Sequence, residues 1–267
     1  MSAPVTSLWH DGELHVRDDC DVHPVEIAVA DSWLVDEGSV LAIDLHRDRF
    51  LASVPVEHAD LDAPAFWDEV IASLPRTGRW FPRIEARTVV RADGARIPQL
   101  IFRHRTAPER GRAIWLVTHD GADPRTSPRI KGPDLEAMVR LRTEAQARGA
   151  GEAVILEADG AIAEGSTTCL VWWRGDALAL PEDDIARIDS VTVRSILALA
   201  AALGVEVLRE RTAPTDLDGL EVWAVNALHG IRVVTRWIDG PATAELPGRA
   251  ETWRRRLSAL GKPLPVT

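Results

Sequence analysis

Short apolar-rich runs broken by Gly-containing turns open the chain, a pattern that predicts hairpins. Residues 6–10 and 13–16 flank Asp11-Gly12, a pair that tolerates the positive φ of a tight hairpin turn. A second hairpin is predicted along 25–35, through Asp36-Glu37-Gly38 and back over 40–43. Short helices are expected over 45–54 and 64–74, the latter opened by Asp62 or Ala63. Strands are expected over 83–90, 99–103 and 113–117. From Thr118 to Pro133 the pattern gives way to turn dipeptides (Asp120-Gly121, Asp123-Pro124, Ser127-Pro128, Gly132-Pro133), which predicts an interdomain linker. Beyond it, residues 134–148 read as a helix with apolar positions at Leu135, Met138, Val139 and Leu141, closed by Gly149 and Gly151. A strand over 153–156, a hairpin of 169–173 with 177–180, strands over 205–208 and 222–225, and a terminal helix from Ala244 follow. Residues 191–203 predict a strong helix, with Ser190 or Asp189 as N-cap and Gly204 at its end. Hairpins mixed with crossover helices in both halves predict an α+β fold of two domains: 1–117, a linker 118–133, and 134–267.

Composition narrows the function classes. The 267 residues are 46% hydrophobic and 27% charged, enough for a sizeable core. The formal net charge of −10 argues against nucleic acid and anionic membrane surfaces, which recruit excess Lys and Arg. No apolar run approaches the roughly 18 residues of a membrane span, and the start lacks the basic and apolar stretches of a signal peptide. Cys20 and Cys169 form no CxxC pair and no disulfide framework. A cytoplasmic protein is expected. The 31 basic residues include only two lysines, Lys131 and Lys262. Chemistry that needs a neutral amine therefore has two candidates, because a guanidinium does not deprotonate at working pH.

Four features carry candidate chemistry: Arg49 in His46-Arg47-Asp48-Arg49-Phe50, Lys131 in Arg129-Ile130-Lys131-Gly132-Pro133, Glu164 in Glu164-Gly165-Ser166-Thr167-Thr168, and the helix start Ser190-Val191-Thr192. Each has an ordinary reading as solvated arginine, surface lysine, turn carboxylate or helix cap. Together they supply what pyridoxal 5'-phosphate (PLP) requires. That cofactor needs an amine for a Schiff base, a carboxylate for its ring nitrogen, and a phosphate site built from a helix N-terminus, a hydroxyl and an arginine.

From Trp33 to Asp239 the sequence resembles the fold-type IV PLP enzymes of the class IV aminotransferase family, which include branched-chain and D-amino-acid aminotransferases and 4-amino-4-deoxychorismate lyase. "HRDRF" resembles the family's His-x-x-Arg-Leu and implies that Arg49 holds phosphate. Lys131 resembles the Schiff-base lysine. "GEAVILEADGAIAEGSTTCLVWWRGDAL" resembles the Glu-Gly signature and gives Glu164 the ring nitrogen. "IDSVTVRSI" resembles the phosphate-cupping helix start, assigning Ser190, Val191 and Thr192. "EVWAVNALHGIRVVTRWIDG" resembles the late strand and loop, assigning Asn226 and Ala227. The resemblance further implies a homodimer. The chain departs from the pattern in three places: no Gly-Asp-Gly precedes the first site strand, Cys169 replaces an asparagine, and Ser190 replaces a glycine.

The chain has no tyrosine, whereas the family's transaminases place one shortly after the lysine. Asn226-Ala227-Leu228 also resembles the lyase loop. The expected activity is thus that of 4-amino-4-deoxychorismate lyase, releasing 4-aminobenzoate and pyruvate. An amino-acid transaminase or a non-catalytic relative of the fold is the alternative. A small anionic amino-acid-like substrate is expected, with Ser32, Arg103 and Thr167 as candidate contacts. His10, His15, Asp18, Asp19, Cys20, Asp21 and His23 cluster in sequence but fit no zinc spacing, and no metal is expected. Cys169 begins an apolar run, which favours a buried inert thiol over a nucleophile.

Overall fold

The computed structural model describes residues 4–17 and 23–265. Its contacts divide into two compact units. The first comprises Met1–Glu109, Ile130–Pro133 and Gly261–Thr267, and the second Arg110–Arg129 and Asp134–Leu260.

In the first unit, β1 (Val5–His10) and β2 (Glu13–Arg17) form the Asp11-Gly12 hairpin, with both turn residues at positive φ. Strand β3 (Val25–Ser32) does not fold back through the Glu37-Gly38 turn as the pattern predicted. That turn joins only β4 (Val35–Asp36) and β5 (Ser39–Val40). After it, Ala42 takes φ 46° and starts α1 (Ile43–Ser53) two residues before its expected start. Helix α2 (Ala63–Ser73) is capped by Asp62, which accepts the Ala65 N–H at 3.1 Å. After β6 (Arg79–Trp80), β3 finds its ladder against β7 (Arg83–Val90), which pairs in turn with β8 (Arg96–His104). A full-length antiparallel ladder satisfies far more backbone groups than a two-residue turn arm, so the distant partner wins. The sheet order is β2-β1-β8-β7-β3.

One face of this sheet is apolar. Val29, Trp33, Ile84, Ala86, Leu100 and Phe102 join Phe50, Phe66 and Trp67 in a single core. Trp33 and Trp67 stand 4.9 Å apart, centroid to centroid. The opposite face is buried and polar, as described below.

In the second unit, β9 (Ala113–Thr118) precedes α3 (Leu135–Ala147), and β10 (Glu152–Leu156) runs parallel to β9. Strands β11 (Ile162–Gly165), β12 (Cys169–Arg174) and β13 (Ala177–Pro181) follow, then α4 (Val191–Ala202) and β14 (Val207–Glu210). Strand β15 (Leu220–Asn226) turns through residues 227–229 into β16 (Gly230–Ile238). The pattern had given no strand over 230–238, because Arg232, Thr235 and Arg236 interrupt its apolar run. Arg232 is nonetheless 6% exposed and lies 3.7 Å from the buried Glu152. The main path of the sheet is β11-β10-β9-β16-β15-β12-β13-β14, and β17 (Thr243–Ala244) pairs with β15. That pairing delays the last helix, α5 (Arg249–Ser258), past Pro247-Gly248. The closing β18 (Lys262–Pro263) returns to the first unit, against β5.

Candidate active site

Lys131 belongs to the first unit, and backbone contacts fix its place there. Its carbonyl accepts the Ala30 N–H at 2.6 Å. Gly132 follows at φ 137°, so close to β3 that a Cβ would stand 2.6 Å from Ala30 N and 2.8 Å from Val29 Cα. No other residue fits that approach. Downstream, Asp134 reaches back to accept Thr126 N–H at 2.8 Å, its hydroxyl at 2.7 Å and Ser127 N–H at 2.8 Å.

Arg49 projects from α1 onto Asp31 at the end of β3, with Nε to Oδ2 at 2.9 Å and Nη2 to Oδ1 at 2.7 Å. His46, one helical turn earlier, places Nδ1 2.9 Å from Asp31 Oδ1. Burial works against ionisation of Asp31, but His46 and Arg49 outweigh it and hold the carboxyl below its usual range. Burial, with Arg49 and Lys131 nearby, pushes the His46 imidazole down, so it is neutral and donates Nδ1–H to Asp31. Arg49 is thus aimed by a two-bond fork and Lys131 shares its surroundings with a neutral imidazole.

The polar face of the first unit's sheet follows from ladder register, since opposed residues share a face. Ser32, Arg83, Arg103 and Thr6 form one row across four strands, and Ala30, Glu85 and Ile101 the next. Glu85 is fully buried, and its Oε1 receives Arg83 Nη2 at 2.7 Å and Arg103 Nε at 2.9 Å. Glu85 Oε2 and Arg83 Nε are buried with no hydrogen-bond partner among the described residues. Arg105 is close enough that burial, together with Arg83 and Arg103, brings its guanidinium down to about 10. The row combines unspent donor and acceptor capacity with converging cations, which suits an anionic ligand.

In the second unit, Glu164 lies on β11 and is almost fully buried. Its Oε1 receives Arg125 Nη1 at 2.5 Å. Its Oε2 receives the Ile188 N–H at 3.3 Å and lies 3.9 Å from Cys169 Sγ. Cys169 is 8% exposed, in keeping with a buried thiol. Two residues beyond Ile188, Ser190 caps α4 by accepting the Val193 N–H at 3.3 Å. That cap leaves the N–H groups of Val191 and Thr192 without a partner among the described residues, although both residues are under 4% exposed. Two unspent N–H groups at the positive end of a twelve-residue helix match a phosphate. Glu164 and the open start of α4 are therefore linked inside one unit through Ile188. The first unit offers an amine-bearing lysine and an aimed arginine, and the second a buried carboxylate and an open helix start, each a kind of group that PLP takes.

The other expected residues are placed as follows. Asn226 ends β15 and braces the turn, giving Nδ2 to Thr167 O at 3.2 Å and accepting His229 N–H at 2.8 Å. Ala227 is the first residue of that turn. The Thr167 hydroxyl is committed to Glu152 Oε2 at 2.6 Å. Glu152, fully buried, also accepts the Thr167 N–H at 2.8 Å and the Ser166 hydroxyl, and so shapes the loop after Glu164. The histidine and aspartate cluster near the start falls partly on residues 18–22, outside the described residues. The sequence reading missed Asp31, Glu85, Arg125 and Glu152. Glu85 and Glu152 had a signal, a charge inside a strand pattern. Arg125 had none beyond its place in a turn-rich segment.

A model of the amino-transferase class IV family matches residues 28–237. No curated protein matches the chain. Among solved structures, a fold IV transaminase from Curtobacterium pusillum superposes with TM-score 0.77 at 16% identity, covering 96% of this chain and 97% of that one. A hypothetical aminotransferase from Mycobacterium tuberculosis, in PLP-bound form, gives 0.76 at 18% identity, over 97% and 98%. A structure described as a candidate 4-amino-4-deoxychorismate lyase from Legionella pneumophila gives 0.71 at 15% identity, over 90% and 92%. At these identities the likeness is one of fold.

Proposed function

The chain belongs to the class IV aminotransferase family, and from that premise we propose that it is a PLP-dependent 4-amino-4-deoxychorismate lyase, acting on an amine that carries two carboxylates. The observation that carries the substrate half of this reading is the row of Arg83 and Arg103 about Glu85, beside the strand that holds Lys131. A dianionic substrate answers those cations, whereas the aliphatic side chain of a branched-chain amino acid does not. The absence of tyrosine supports the lyase over the transaminase outcome.

Lys131 would hold the cofactor covalently through Nζ, Arg49 and the Val191 and Thr192 N–H groups would hold its phosphate, and Glu164 its ring nitrogen. When bound, PLP supplies a conjugated ring that accepts the electron pair left when a proton departs from the substrate. Lys131 Nζ, when free as an amine, would take that proton as general base and return it as general acid. Arg83 and Arg103 would orient the carboxylates so that the carbon losing its proton faces that amine. Only one of the two lysines has the backbone support this requires, since Lys262 is exposed on β18.

The test is borohydride reduction of the purified protein, followed by peptide mapping and product assays. A phosphopyridoxyl group on Lys131 with release of pyruvate and 4-aminobenzoate is the expected result. Labelling of Lys131 with an oxo acid as product replaces the lyase by a transaminase. No labelling after added PLP overturns the reading altogether.

A further inference from the structure

The segment before Lys131 holds a buried cation that the proposed chemistry does not use. Arg125 has a side chain 2% exposed, yet it sits in a loop. Asp123 binds it as a fork, with Nε to Oδ1 at 2.9 Å and Nη2 to Oδ2 at 2.7 Å. Its remaining arm, Nη1, reaches Glu164 Oε1 at 2.5 Å. Burying a guanidinium between two carboxylates is costly, and an apolar strut of the same volume would stabilise the loop at least as well. The arrangement instead gives a carboxylate fixed in direction, whose charge is already shared.

We propose, resting on the PLP reading above, that Arg125 is a positioning residue for Glu164, which it orients and whose charge it shares, so setting how firmly the cofactor's ring nitrogen holds its proton. Glu164 competes for a proton with the ring nitrogen it faces. An adjacent permanent cation favours the carboxylate and weakens its pull on the ring proton. Asp123 moderates Arg125 in the same way, one step further out. Asp123, Arg125 and Glu164 therefore act as an alternating chain of three charges. Glu164 is also faced by the Ile188 N–H, by Cys169 from β12 and by Arg187 from the segment before α4. Arg187 senses Glu164 and Cys169, while its own bonds go to the carbonyls of Pro181, Glu182 and Ile185.

The chain of charges makes a signed prediction. In Arg125→Gln, Glu164 loses its cation and strengthens its hold, so the ring nitrogen keeps its proton to higher pH. In Asp123→Asn, Arg125 is less compensated and draws harder on Glu164, so the ring nitrogen releases its proton at lower pH. The full-length protein, loaded with PLP labelled with 15N in the ring, is titrated by NMR alongside both variants. The expected midpoints move in opposite directions, each by about one pH unit, the lower end of shifts from a neighbouring charge. A merely structural Arg125 gives variants that melt earlier while the ring nitrogen titrates as in the parent, and that result overturns the proposal, as do shifts of the same sign. If Arg125→Gln does not fold, Asp123→Asn decides alone: a downward shift supports the proposal and an unmoved midpoint overturns it. A parent protein that takes up no labelled cofactor overturns the PLP reading itself, a failure seen before either variant is compared.

Discussion

Gly132 shows how much a single residue decides at this site. Its φ of 137° and the 2.6 Å separation between a built Cβ and Ala30 N leave no room for a side chain. Gly132→Ala is expected to destabilise the protein by roughly 2–4 kcal/mol, combining backbone clash with strain. A thermal melt measures the loss, and lower uptake of PLP by the folded fraction shows that Lys131 has been displaced. His229 makes a second prediction at this scale. Its Nδ1 accepts the Gly111 N–H at 3.1 Å, and burial, with Arg232, Arg142 and Arg110 around it, brings the imidazole down to about 4. Below about pH 6.5 the unfolded chain binds a proton there that the folded chain does not. Stability is therefore lost as pH falls from about 6.5 toward 4 and regained on return. His229→Gln should flatten that part of the stability profile, and equal slopes for the two proteins would refute the assignment.

Elements impose their own constraints. The Ser190 hydroxyl serves the Val193 N–H, so Ser190→Ala should cost about 1 kcal/mol and Ser190→Gly only a few tenths. Neither change removes the Val191 and Thr192 N–H groups, so phosphate affinity in the folded protein should hold within a few-fold, as equilibrium dialysis with PLP would reveal. On the first unit's sheet, alternation along β7 puts Arg83, Glu85 and Arg87 on one face and Ile84 and Ala86 on the other. The same strand thus builds the core and the buried charged row. Arg83→Met keeps most of the side-chain volume and removes one cation. It should raise KM for a dicarboxylate substrate about tenfold or more, while a monocarboxylate amine is affected less. Equal effects on both substrates would remove the charged row from substrate recognition.

At the scale of the whole molecule, the expected site residues are divided between the two units. Arg49, Ser32, Arg103 and Lys131 belong to the first, and Glu164, Thr167, Ser190, Val191, Thr192, Asn226 and Ala227 to the second. The lysine lies in a four-residue excursion, Ile130–Pro133, from one unit's sequence into the other's fold. A ligand that binds only the folded protein adds to its stability. PLP at a hundredfold excess over its Kd should add about 2.7 kcal/mol to unfolding. The gain should shrink sharply in Lys131→Met, and calorimetry with and without PLP gives the comparison. A net charge of −10 over the whole sequence does not exclude buried cations. Buried arginines at positions 87, 125 and 232 are each held by local acceptors, Gln99, Asp123 with Glu164, and Glu152.

Local patterns were legible wherever the determinants are close in sequence. The Asp11-Gly12 hairpin, the Ser190 cap and helix α3 depend on residues within a few positions of one another, and each forms within a residue or two of expectation. The family was legible because the order and spacing of motifs survive along the chain. What stayed hidden depends on partners far away in sequence. Strand β3 pairs with β7 more than fifty residues on, and β16 forms because β9 and β15 flank it despite three polar residues. The same holds for Asp31 under Arg49, Glu85 among the arginines, and Arg125 on Glu164. A buried charge looks like a surface charge in sequence, and only the fold supplies the counter-charge that makes its burial affordable.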